Sequence, residues 1–171
     1  MKRLKGMIMG IGEKSVRQFS NSEFLPEVVR LLDAGHTVTI RLRGYSMRPF
    51  LEDNRDKAVL KKADMPMSGM PVLAEIGHRH YVLHRIVSIK CDAVVLRGDG
   101  NIGTETCRLS DVKAEVVGFY RKGRDRMDMV DGLKWRMYSV FWTKLTPLFV
   151  RRYILAVYRR LVKTEKINRD A

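Results

Sequence analysis

Residues 37–43 read TVTIRLR, with Val38, Ile40 and Leu42 on one side of an extended chain and Thr37, Thr39 and Arg41 on the other. A strict period of two over β-branched residues predicts a half-buried strand. Five further runs of the same kind follow: KAVLK (57–61), PVLAEI (71–76), HYVLHRIVSI (80–89), AVVLRG (93–98) and AEVVGFYR (114–121). Turn-forming stretches such as MSGMP (67–71) and GDGNIG (98–103) separate them. Short strands without intervening helices predict a mainly β fold, an antiparallel barrel-like or sandwich-like domain over about 37–122.

The flanks differ. Upstream, NSEFLPEVVRLLDAGH (21–36) places Phe24, Val28, Leu31 and Leu32 on one helical face, with Pro26 near the start and Gly35 as the stop. Downstream of RKGRDRMDMVDG (121–132), Trp135, Tyr138, Trp142 and Leu145 recur at helical spacing. Pro147 interrupts, and Phe149, Tyr153, Ile154, Val157 and Leu161 resume the pattern. The expected organisation is a basic lead over 1–20, one N-terminal helix and the β domain within 21–124, and a basic amphipathic helical extension over 125–171.

Charge points to an anionic partner. The chain has 33 Lys and Arg against 19 Asp and Glu, a net +14, and from Leu133 onward ten basic residues face two acidic ones. Trp135, Trp142, Arg151, Arg152, Arg159 and Arg160 are therefore the expected contacts of the tail with an anionic membrane surface, with nucleic acid the less favoured partner. No stretch approaches 18 uncharged apolar residues, so neither a transmembrane span nor a secretory signal is expected. Two cysteines, Cys91 and Cys107, make no disulfide framework. These features together predict a cytoplasmic protein, held peripherally at the inner membrane surface.

Three stretches carry chemistry. GYSMRP (44–49) holds Ser46 in a tight turn directly after the first strand; YVLHRIV (81–87) puts His84 in mid-strand, followed by Arg85; RGDGNIGTETC (97–107) is a glycine-rich loop bearing Asp99 and Glu105. A lone serine in such a turn is ordinary turn chemistry, and a lone strand histidine is ordinarily structural. Together they supply a hydroxyl, a base to take its proton and an acid to orient the base. Either Asp99 or Glu105 can fill the last role. His78, His80 and His84 lie close in sequence, but no acidic or thiol ligand is fixed beside them, so no metal and no cofactor is expected.

These stretches resemble the motifs of the signal peptidase I and LexA superfamily of serine peptidases. GYSMRPFLEDNRDKAVL (44–60) is similar to its serine box, YVLHRIV to its second box and RGDGN (97–101) to its Gly-Asp-Asn box; histidine before arginine is the archaeal and endoplasmic-reticulum form. The likeness covers about 37–121, in the family's order. It implies a signal-peptidase/LexA-like antiparallel β domain, Ser46 as nucleophile and His84 as general base. The family's third residue, six positions after the box aspartate, falls on Glu105. Where bacterial members carry a serine beside the oxyanion this chain has Gly44, so backbone N–H groups, that of Ser46 among them, are expected to bind it. The implied activity is serine endopeptidase action on an extended peptide, protein or leader sequence through an acyl-enzyme. The alternative is a peptidase-like module without catalysis, binding nucleic acid or membrane through its basic tail.

Overall fold

A computed structural model of the protein describes residues 21–161. The expected basic lead (1–20) and the end of the tail (162–171) lie outside the described residues. The fold is mainly antiparallel β with an N-terminal helix and C-terminal helices, the class read from the sequence.

Helix α1 (Asn21–Asp33) buries Phe24, Leu25, Val28 and Leu32 against the sheet. It ends as a glycine cap: Gly35 takes φ +86°, its N–H donates to Leu32 O and the His36 N–H donates to Leu31 O. The strands are β1 (Val38–Arg41), β2 (Lys57–Lys62), β3 (Pro71–Glu75), β4 (Tyr81–Lys90), β5 (Ala93–Arg97), β6 (Glu105–Arg108), β7 (Val112–Tyr120) and β8 (Met127–Met129). They form one open sheet in the order β1-β2-β7-β3-β4-β5-β6, and β8 pairs with the end of β7. Every pairing is antiparallel.

Alternation divides the buried residues between two faces. Leu73 and Tyr81 join Phe24, Ile40, Phe119 and Trp135 in the larger core, whereas Val72 and Ile86 join Val94, Leu96 and Cys107 in a smaller one. Neighbours in one strand thus serve different cores. That division decides where the chemical residues of β4 go.

The extension is less separate than the expected boundary at 124/125. Strand β8 lies inside the polar stretch read as a connection, and Trp135 of α2 (Leu133–Val140) is a core residue. Its ring meets Phe50 edge-on with centroids 4.7 Å apart. The helix continues as one π-turn (Phe141–Leu145), breaks at Pro147, and gives way to α3 (Leu148–Leu161).

Candidate active site

The Ser46 turn is fixed from two sides. Before it, Gly44 adopts φ +90° and donates its N–H to Asp53 Oδ1 at 2.7 Å, a conformation that suits glycine. After it, Arg48 and Glu52 form a buried bidentate pair, with the Arg48 guanidinium 4.0 Å above the Tyr45 ring. The glycine loop packs directly against the turn's backbone. The Gly100 N–H donates to Ser46 O at 2.7 Å. A Cβ at Gly98 would stand 2.4 Å from Ser46 O, and one at Gly100 would stand 2.7 Å from Tyr45 O. The two glycines are there because the serine turn leaves no room for a side chain.

His84 and Glu105 come together through strand register. Across the sheet, Ile86 faces Leu96 and Leu96 faces Glu105, so Glu105 shares the face of Val72 and Ile86 on which His84 also lies. His84 Nδ1 stands 2.7 Å from Glu105 Oε2. The two atoms are in close contact without forming a well-aligned hydrogen bond, and neither has another polar partner. Burial lowers the His84 pKa below the ordinary imidazole value, against the opposing pull of the Glu105 carboxylate. At neutral pH the ring is therefore uncharged.

Asp99 is engaged elsewhere. Its carboxylate oxygens accept from Arg85 Nε at 2.8 Å and Nη2 at 2.7 Å, and Tyr138 Oη adds a third bond at 2.9 Å. Its backbone carbonyl accepts from Trp142 Nε1 at 2.8 Å. Arg85 lies on the other face of β4 from His84 and stands 4.7 Å above the Trp135 ring. Burial, with the Asp99 carboxylate adding to it, raises the Tyr138 pKa well above the usual phenol value. Asp99 thus fastens the glycine loop to the sheet and to α2, and Glu105 is the acid placed on the imidazole. Its side-chain bonds run to distant elements rather than to the backbone of its own turn.

Ser46, His84 and Glu105 line one cleft of about 250 Å³ between α1, β1, the serine turn and β4. Ser46 Oγ makes no hydrogen bond among the described residues, and the Ser46 N–H likewise has no acceptor there. The cleft wall also carries Asn101 of the glycine-rich loop, together with Arg41 and Arg43, which the sequence did not single out. The Nε atoms of both arginines are buried without a partner. Period-two alternation puts Arg41 and Arg43 on the same side as Thr39, and that was the available signal.

The tail residues divide. Trp135 and Trp142 are buried at 3% and 2% exposure, so they are packing groups and not the surface contacts expected of them. Arg151 is also buried, because it caps the preceding helix: Nε donates to Thr146 O and Nη2 to Thr143 O, both at 2.9 Å. Arg152, Arg159 and Arg160 are exposed. Cys91 and Cys107 are unpaired thiols. Among the described residues, His78, His80 and His84 form no metal-ligating group, and no helix is long and apolar enough to cross a membrane.

No protein-family model matches the chain, and no curated protein is significantly similar to it.

Proposed function

We propose that the protein is a serine endopeptidase of the signal-peptidase-like type, with Ser46 as nucleophile, His84 as general base and Glu105 as the acid that orients and supports it. One observation carries the reading: a buried, neutral imidazole with its Nδ1 against a carboxylate shares a cleft with a serine held in a braced turn. The likeness of the three boxes to the superfamily's motifs is a second support.

Chemistry follows from these groups. With the ring proton on Nδ1, the nitrogen beside the Glu105 carboxylate, His84 Nε2 is a free acceptor. Ser46 Oγ attacks the scissile carbonyl of a bound peptide while its proton passes to Nε2. The carbonyl oxygen becomes an oxyanion, for which the unengaged Ser46 N–H is a donor. Imidazolium then gives its proton to the departing amine, leaving an ester at Ser46. Water, deprotonated by the same nitrogen, releases the acid and restores the hydroxyl. Glu105 opposes the positive charge on the ring in both halves. No hydrogen bond joins the hydroxyl to the imidazole in the free protein, a common state of such sites, which tighten when substrate binds.

Arg41 and Arg43 leave the cleft wall with an excess of positive charge, because Glu52 is neutralised by Arg48 and Glu105 sets only one carboxylate against the two guanidinium groups. A peptide with an acidic side chain near the cleaved bond suits that wall better than a basic one. Digestion of a mixture of peptides, with Ser46→Ala as the matched control, tests the assignment. Cleavage by the parent and none by the variant supports it; equal cleavage by both removes Ser46 from the reaction.

A further inference from the structure

Helices α2 and α3 each carry two opposite apolar faces, and only one is used by the fold. At about 100° per residue, Trp135, Tyr138 and Trp142 lie together on the inward side of the first helical segment. Leu133, Met137, Phe141 and Leu145 recur every fourth residue on the outward side, with Leu133 74% and Leu145 69% exposed. In α3 the inward side holds Arg151, Leu155 and Tyr158. Phe149, Tyr153 and Val157 form the outward row, with Phe149 70% and Tyr153 75% exposed. A row of large apolar side chains facing water over two successive helices is not ordinary for a monomeric surface.

What borders this face selects its partner. Between Leu133 and Leu161 there is no acidic residue at all. Arg136, Lys144, Arg152, Arg159 and Arg160 are exposed and have no carboxylate partner among the described residues. A second copy of the chain is disfavoured, since a two-fold contact through these helices would set like charges against each other. The chain's first 20 residues are no better matched, with five basic residues and one acidic. Apolar residues flanked by arginine and lysine fit the boundary between acyl chains and anionic headgroups.

We infer that the outward face of residues 133–161 seats the protein on an anionic bilayer surface without crossing it. The contact residues are Phe141, Leu145, Phe149 and Tyr153 with the exposed arginines, in place of the buried Trp135, Trp142 and Arg151. The inward side ties that surface to the cleft: Tyr138 and Trp142 hold the glycine loop, and Tyr158 Oη donates to Glu52 beside the serine turn at 3.1 Å. Bilayer seating is independent of the peptidase assignment, and its test needs no turnover.

The experiment is co-sedimentation of the full chain with vesicles of phosphatidylcholine alone or with phosphatidylglycerol, at low and high salt. The variants are Phe149→Ser with Tyr153→Ser, and Arg152→Gln with Arg159→Gln and Arg160→Gln. All five side chains are exposed, so both variants are expected to keep the parent's thermal midpoint. The parent should bind the anionic vesicles, and either variant should lower the partition coefficient by about tenfold or more. Salt should weaken the parent's binding and leave little further to lose in the arginine variant. Equal pelleting of parent and variants with anionic vesicles would overturn the inference. So would a parent that ignores vesicles and sediments as a dimer that Phe149→Ser with Tyr153→Ser dissociates, because a second copy would then cover the face.

Discussion

His84 and Arg85 are adjacent in one strand, and each meets a carboxylate from the short stretch of chain that runs from the end of β5 into β6, yet the two pairs are built for different ends. Arg85 and Asp99 are both nearly inaccessible, and four hydrogen bonds saturate the aspartate through two side-chain partners and a tryptophan at its carbonyl. Nothing in that pair is free to move a proton. His84 and Glu105 meet at one point of contact, with the glutamate partly open to the cleft and the imidazole held neutral by burial. The first arrangement resists change and the second tolerates a change of charge. Pleating separates them, since consecutive side chains leave a strand on opposite faces.

The comparison breaks most sharply at the imidazole. His84→Ala and Ser46→Ala should each lower turnover by a factor of order 10⁶, and the double variant should lose little more, because nucleophile and base act as a unit. Multiplying losses in that double-mutant cycle would separate Ser46 from His84. Glu105→Gln should cost a factor of roughly 10⁴ by leaving the imidazolium unsupported. It should also move the acid limb of the turnover profile to lower pH, because the carboxylate is what raises the His84 pKa against burial. A purely structural glutamate would leave that limb in place.

Smaller effects are expected from the other pair, and they fall on stability. Removing one partner of a buried ion pair strands the other, so Arg85→Met or Asp99→Asn should cost about 3–5 kcal/mol in denaturant unfolding. The molecules that remain folded should lose far less turnover than Glu105→Gln does. Lower still is the change expected at the cleft wall. Arg43→Ala should reduce kcat/KM by about tenfold, or roughly 1.4 kcal/mol, for peptides with an acidic residue near the bond and leave neutral ones unchanged. Uniform loss over both peptide classes would take Arg43 out of substrate selection.

Acid also separates the pairs. The folded pKa of His84 lies below the ordinary 6.5, so in the window between them the unfolded chain binds the proton that the folded chain refuses. This contribution to stability is complete above about 6.5 and is lost as pH falls toward the folded value. In His84→Ala, the unfolding free energy should show a shallower dependence on pH across that window than it does in the parent. An unchanged slope would mean that burial of the imidazole has no consequence for its titration.

Much of the sheet was legible because TVTIRLR and its successors alternate cleanly, and six of the eight strands overlap runs read from period and turn signals. Strand β6 was hidden because ETCR is short and polar and follows directly on a glycine loop. Strand β8 was hidden inside a charged connection, since its sequence MDM gains its place only by pairing with β7. At the site, two acids six residues apart were both candidates. Deciding between them needed the register that carries Glu105 across the sheet to the face of His84, and pairing partners are not written in local sequence. The tail misled for a related reason. Helical spacing marks Trp135 and Trp142 as one face but does not say whether that face meets water or the core, and here Phe50 and Phe119 cover Trp135.

The central claim is that Ser46 is activated by His84, and covalent labelling tests it most directly. Intact-mass and peptide mapping after treatment of the full chain with a fluorophosphonate should find a single adduct, on Ser46. Labelling should be abolished in His84→Ala, strongly slowed in Glu105→Gln and retained in folded Asp99→Asn. A folded parent that leaves Ser46 unmodified, or labelling at Ser46 that proceeds equally fast without His84, would contradict the account.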